Sequence, residues 1–251
     1  MSERKKTALP SEGLNLLNLM ETLFYRDEFL SIASHELKTP LTALKLQAQV
    51  FKRNAMKEKD LYYSKEKVNQ LIDQMETQAT RLSKLVDEML DVSRIRSGLF
   101  VLNKTHFNLS QQLFNIQNQL SSSELGQISF TITPDLFING DPDRLAQVFH
   151  HLIQNALKYG DSGPIEVCLH QKRKKILFTV KDSGRGISVE NQSKIFNRFQ
   201  RAVAASEISG LGLGLYIVKE IVESHSGSIT IKSELGVGSL FTISLKDQES
   251  P

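Results

Sequence analysis

The octapeptide Ser34-His35-Glu36-Leu37-Lys38-Thr39-Pro40-Leu41 sets a nucleophile, a carboxylate and a hydroxyl within five residues. A neutral imidazole attacks through one nitrogen while a carboxylate on the other fixes its tautomer. The leucines at 9, 16, 23, 30 and 37 recur every seven residues, the seam spacing of helices that pack on a partner. On such a helix His35 and Thr39 stand four apart and share a face, their Cβ atoms about 5–6 Å from each other. Pro40 offers no N–H to the Glu36 carbonyl, so the helix is expected to loosen or kink one turn from the imidazole. A kinked surface helix with an incidental histidine would carry the same residues, so the octapeptide gains meaning only from its company.

That company lies in the second half of the chain. Asn155-Ala156-Leu157-Lys158-Tyr159 ends a helical run. An amide oxygen is a hard ligand suited to Mg²⁺, a lysine offsets phosphate charge, and a tyrosine offers a flat face to a base. Asp182-Ser183-Gly184-Arg185-Gly186 follows a strand. An ionised Asp only accepts hydrogen bonds, so it can take one from an exocyclic amine such as that of adenine. Gly210-Leu211-Gly212-Leu213-Gly214-Leu215 runs into a helix, where backbone N–H groups and the helix N-terminus favour phosphate. No Gly-Lys-Ser/Thr follows it, so it is not a P-loop, and it lacks the spacing of the dinucleotide fingerprint. Gly236-Val237-Gly238 is a tight turn that could merely close a hairpin.

The elements that must position these residues read in two blocks. Residues 1 to about 13 are polar and charged, expected to be disordered or a linker. A helix from Leu14 to about Asn54, a charged break at Lys57–Asp60 and a second helix from about Tyr62 to Arg96 make a hairpin over residues 14–99. Gly98 is placed to cap its end. One hairpin cannot cover both its apolar stripes, so two should pair into a four-helix homodimer. From 103 to 247 helices and strands interleave. Helices are expected near Leu109–Ser122, Pro142–Tyr159 (with Asp141 as N-cap) and Leu213–Ser224, and strands near 128–133, 136–139, 165–170, 176–181, 228–233 and 240–245. The chain is therefore multidomain, an all-α hairpin followed by an α+β sandwich.

Composition excludes several classes. The 251 residues are 40% hydrophobic and 24% charged, ordinary for a globular protein with room for two modest domains. A net charge of +3 is too mild for a nucleic-acid binder, and Lys172-Arg173-Lys174-Lys175 reads as a solvated hairpin turn. Cys168, the single cysteine, forms no disulfide framework and is expected as a buried, inert thiol. No apolar stretch approaches the roughly 20 residues of a membrane span, and no signal core opens the chain, so a cytoplasmic location is expected.

In this order the motifs resemble the transmitter core of two-component sensor histidine kinases. Ser34–Leu41 matches the family's H box, His151–Tyr159 its N box and Asp182–Gly186 its first glycine box. Phe196-Asn197-Arg198-Phe199 matches the F box, and Gly210–Leu215 and Gly236–Gly238 the later glycine boxes. The resemblance implies a dimeric four-helix phosphotransfer bundle and a Bergerat-type nucleotide fold, akin to that of gyrase and heat-shock chaperone ATPases. It implies ATP and Mg²⁺, autophosphorylation of His35 activated by Glu36, and transfer to an aspartate of a response-regulator receiver domain. Thr39 would orient water in a phosphatase reaction on that partner. Asn155 would hold the metal and Asp182 read the adenine. Lys158, Tyr159, Gly184, Gly186, Ile187, Arg198, Phe199, Arg201 and the run Gly210, Leu211, Gly212, Leu213, Gly214, Leu215 would contact the nucleotide, with about 188–209 as a lid anchored by Phe196 and Phe199.

One position departs from the pattern. Where the family usually has a second Asn, four residues before Asn155, this chain has His151, a poorer Mg²⁺ ligand. It is a spectator, a phosphate hydrogen-bond donor, or a sign of altered metal preference or turnover. Two other readings share the residues: a clamp-type ATPase, which leaves the octapeptide unexplained, and a catalytically weak docking or phosphatase module, for which only His151 speaks.

Overall fold

The computed structural model describes residues 11–55, 65–200 and 210–246, with the side chains of α1 described from 31 to 53. The expected N-terminal linker up to residue 10, the charged break at 57–60, and Arg201 with the rest of the expected lid up to 209 lie outside the described residues, as do the side chains of Leu16, Leu23 and Leu30. The chain divides into two compact units, Met1–Val86 and Asp87–Pro251.

In the first unit, α1 (Ser11–Ala55) runs unbroken through Pro40, which is buried. The Thr39 hydroxyl donates to the His35 carbonyl at 3.2 Å, a bond within the turn that Pro40 deprives of a donor. α2 (Lys65–Arg96), which runs from the first unit into the second, meets α1 through the Glu36–Arg81 ion pair and a Gln47–Gln74 hydrogen bond of 3.3 Å. Its end is a Schellman motif: Gly98 has φ +69°, Leu99 N–H donates to the Arg94 carbonyl and Gly98 N–H to that of Ile95.

The second unit is a two-layer sandwich. A five-stranded sheet runs in the order β2 (Ile128–Ile132), β4 (Ile165–Lys172), β5 (Lys175–Asp182), β7 (Gly238–Lys246), β6 (Ser228–Glu234). β2 and β4 are parallel and the other pairs antiparallel. β1 (Thr105–Asn108) and β3 (Phe137–Gly140) form a separate antiparallel ribbon. α3 (Leu109–Gln119), α5 (Pro142–Tyr159) and α7 (Gly214–Ser224) supply the helical layer, with short α4 (Ser122–Leu125) and α6 (Val189–Gln192) in the connections.

The core follows from strand alternation. Ile165, Val167 and Leu169, Ile176, Phe178 and Val180, and Phe241, Ile243 and Leu245 are buried on one face. Onto them α5 presents Leu145, Val148, Phe149, Leu152, Ile153 and Ala156, a stripe at three- and four-residue spacing. The Phe149 and Phe178 rings meet at 4.2 Å. The opposite face carries one row across all five strands, Thr131, Cys168, Thr179, Thr242 and Thr230, paired in register. Cys168 is therefore half-buried among threonines, and the expectation of a buried core thiol is corrected. The alternation holds, but its buried parity belongs to Val167 and Leu169.

Asp141 caps α5 as expected, its Oδ1 accepting from Arg144 N–H at 3.1 Å. Its own N–H donates to Nε2 of buried His225 at 2.9 Å, while the other ring nitrogen of His225 lies 2.8 Å from the Ile221 carbonyl. The ring is thus a neutral Nδ1–H tautomer. Burial pushes its pKa below the ordinary value of 6.5, with nearby Lys104 acting the same way and the Ile221 bond and Asp141 opposing. Between the depressed pKa and 6.5 the unfolded chain binds more protons, so stability rises with pH there and is lost on acidification. The melting temperature should fall by a few degrees between about pH 7.5 and about pH 5.5, and His225→Gln, which keeps an acceptor without the titration, should flatten that fall. An unchanged slope in the variant would contradict the assignment.

Candidate nucleotide site

Three backbone segments meet at the C-terminal end of α5. The turn after β5 lies so close that a methyl on Gly184 would overlap the Tyr159 carbonyl and stand 2.6 Å from Gly160 Cα. A methyl on Gly238, at the start of β7, would overlap the Asp182 carbonyl. The turn at Gly236 closes the β6–β7 hairpin, and Gly236 N–H also donates to the Arg185 carbonyl at 2.8 Å. That last glycine turn therefore also ties to the turn after β5 rather than only closing a hairpin. Gly186, with φ +66°, turns the chain so that Ile187 N–H reaches the Ser233 hydroxyl at 2.8 Å. The amide of Gln192, the last residue of α6 (Val189–Gln192), then ties that helix to the Ile187 and Ser233 carbonyls.

Asp182 sits at the floor of this junction, buried to 7% exposure and accepting from Gly184 N–H at 3.0 Å. Burial raises its pKa above 3.8, against the bonds from the Gly184 and Ser239 backbone, with Asp161 adding to the rise. Asn155 and Tyr159 are half-buried one turn apart on α5. The Lys158 ammonium stands 5.3 Å from the Tyr159 ring centroid and beside Gly210, 3.8 Å from where a Cβ would be. The sequence motifs thus converge: the end of α5 adjoins both the Asp182 turn and the start of the glycine loop.

The glycine loop is anchored by buried Leu211 and Leu213, and α7 begins at Gly214 with no side chain capping its first amides. Its hydrogen-bond partner across the site is Phe199, whose N–H donates to the Gly212 carbonyl at 3.0 Å. Phe199 adopts φ +63°, which a bulky residue adopts rarely. Arg198 lies with its guanidinium 5.6 Å from the centroid of Tyr216, on the first turn of α7. Sequence reasoning misses Tyr216, Ser233 and Ser239, although Tyr216 follows the glycine loop directly. His151, half-buried on α5, lies with its imidazole against Gly214, where a Cβ would overlap Nε2 and Cε1. His150 is exposed.

In the first unit His35 is exposed and Glu36 buried, at 8% exposure. Glu36 Oε2 stands 3.6 Å from Arg81 Nη2 and makes no hydrogen bond.

A hairpin bearing an exposed histidine, joined to a sandwich whose loops gather around a buried Asp, defines a histidine-kinase class of architecture. The family described as "His Kinase A (phospho-acceptor) domain" matches residues 25–98, and "Histidine kinase-, DNA gyrase B-, and HSP90-like ATPase" matches 140–249. The chain belongs to the sensor histidine kinase family, and the second match makes its C-terminal unit an ATP-binding domain. The heme sensor protein HssS of Staphylococcus saprophyticus is 33% identical over 92% of this chain and 48% of its own length. The sensor protein kinase WalK of Staphylococcus aureus is 32% identical over 88% of this chain and 53% of its own. The chain thus spans about half the length of these curated relatives. Among solved structures, the Acinetobacter baumannii histidine kinase AdeS shares the fold at 22% identity and a TM-score of 0.63, covering 86% of this chain and 98% of that one. The catalytic domain of histidine kinase ThkA matches at 26% identity and a TM-score of 0.51, covering 58% of this chain and 98% of its own. No described helix is long and apolar enough to cross a membrane.

Replacement of Asp182 separates ligand from fold. Asp182→Asn keeps an acceptor for Gly184 but loses the charge, so ATP affinity should fall about ten- to hundredfold. The folded Asp182 holds its proton to higher pH than the unfolded one, so its ionisation subtracts stability as pH rises through that interval and above. The variant should therefore melt no lower than wild type at neutral pH. Unchanged ATP affinity by calorimetry would contradict the role.

Proposed function

We propose that the chain is the transmitter core of a sensor kinase, transferring the γ-phosphoryl group of ATP to His35 and then to an aspartate of a response-regulator receiver domain. The reading is carried by one observation: an exposed histidine followed in sequence by a buried carboxylate with one oxygen that makes no hydrogen bond, in a chain that also carries an ATP-binding domain. His35 attacks the γ-phosphorus through one ring nitrogen, the bond to the bridging oxygen breaks, and ADP leaves with that electron pair. Glu36 accepts from Nδ1–H, which fixes the tautomer and holds the proton while the other nitrogen bonds phosphorus. Asp182 reads the adenine amine, Lys158 and the α7 amides meet the phosphates, Tyr159, Gly184, Gly186 and Ile187 line the base, and Arg198, Phe199 and Arg201 belong to the covering segment.

The donor set fits Mg²⁺. Among the described residues no group of three His, Cys, Asp or Glu could form a protein cage for a metal. Mg²⁺ needs none, since it is commonly held by one or two protein oxygens with substrate phosphates and water, and Asn155 would supply such an oxygen. The chemistry such an ion supplies is neutralisation of charge on the phosphate oxygens.

The chain works as a homodimer on the cytoplasmic side. In support, Leu41, Leu46, Phe51 and Ile72 are exposed on the hairpin, as expected where a second hairpin completes the bundle. Thr39, one turn from His35 and bonded to its carbonyl, orients water in dephosphorylation of the partner.

Incubation with labelled Mg-ATP should give acid-labile, base-stable label on wild type and none on His35→Gln; label surviving that substitution would refute the assignment. Thr39→Ala should depress dephosphorylation of the phospho-regulator, by about tenfold or more, while sparing autophosphorylation. Equal loss of both activities would make Thr39 structural instead.

A further inference from the structure

The three glycines of the loop differ in why they are glycine. Gly210 and Gly212 have φ of +148° and +66°, values that side chains rarely adopt. Gly214 does not: it is the first residue of α7 and no positive φ is recorded for it. A helical glycine weakens its helix relative to alanine, so backbone conformation gives no reason for it. The space does. A Cβ at 214 would overlap the Nε2 and Cε1 atoms of His151, which projects from α5 one turn before Asn155. The ring is half-buried, and α5 and α7 pack on each other through buried residues of both helices.

We propose that His151 is a positioning residue for the phosphate cradle. Its imidazole, seated on Gly214 Cα, fixes how closely the N-terminus of α7 approaches the face of α5 that carries Asn155, and it is not a metal ligand. The inference rests on the nucleotide reading above and deepens it. The position where the family usually has an Asn is used here as a spacer, and Gly214 is the residue that makes room for it. With the ring seated on the Gly214 backbone, a methyl can enter there only if the imidazole moves, and moving it releases the spacing it sets.

The test is a double-mutant cycle on the full chain, with calorimetric affinities for ATP and for adenosine in Mg²⁺ and in Mn²⁺. Gly214→Ala should weaken ATP binding about tenfold or more while leaving adenosine binding unchanged. His151→Ala combined with Gly214→Ala should recover most of that loss, because the methyl then occupies vacated space. His151→Ala alone should weaken ATP binding equally in the two metals. If Gly214→Ala does not fold, recovery of folding and of ATP binding in the double variant supports the spacer role, and failure to recover either overturns it. The proposal is also overturned if Gly214→Ala is harmless, if its effect is the same with and without His151, or if His151→Ala alters the ratio of Mg²⁺- to Mn²⁺-supported affinity. A wild-type chain binding neither adenosine nor ATP would instead remove the nucleotide reading on which it stands.

Discussion

At the end of β5 the candidate nucleotide site is built backbone on backbone, the turn after β5 meeting the end of α5 with no room for a side chain at Gly184. Everything else at the site depends on that approach. It brings Asp182 to the same junction as Tyr159 and Lys158, and Gly238 extends the contact to the start of β7. The apolar layer beneath makes the approach possible. α5 lies on β4 and β5 through a continuous stripe, so the end of the helix and the end of β5 arrive at one edge of the sandwich. Because Asp182 is the last residue of β5, its carboxylate is buried by the fold itself rather than by a flexible loop.

The loop beyond is held differently. Leu211 and Leu213 anchor it from below, the Phe199 N–H grips the Gly212 carbonyl, and His151 sets its distance from α5. The φ of Phe199 is held by the bond from its N–H to the Gly212 carbonyl, and such backbone conformations are common where a segment meets a ligand. In the other unit a similar sparseness of partners is seen at Glu36, which is buried beside Arg81 yet retains an oxygen without a hydrogen bond.

Much of this is legible in the sequence, for local reasons. Asp141-Pro142 marks the start of α5 and Gly98 the end of α2 because capping chemistry is written in adjacent residues. The hairpin of β4 and β5 follows from alternation on both sides of a basic turn, in which Arg173 takes φ +58°. Non-local facts are not legible. The parallel pairing of β2 with β4 and the β1–β3 ribbon depend on chain return, which no window of residues encodes. The face occupied by Cys168 turns on parity relative to a core that the strand alone does not define. The contact of His151 with Gly214 joins motifs more than sixty residues apart, and the placing of Arg198 over Tyr216 joins the F-box match to α7. The comparisons with known kinases support the order of the motifs, and the geometry gives each motif its neighbour.

The central claim is that the terminal phosphoryl group of ATP ends on the His35 imidazole rather than in water. Phosphorus NMR of the full chain during a single turnover of Mg-ATP tests it most directly. The account predicts a phosphoramidate resonance that grows as ATP is consumed, disappears on acidification and is absent from His35→Gln. ATP consumed with only inorganic phosphate appearing, and no phosphoramidate at any time, would contradict it.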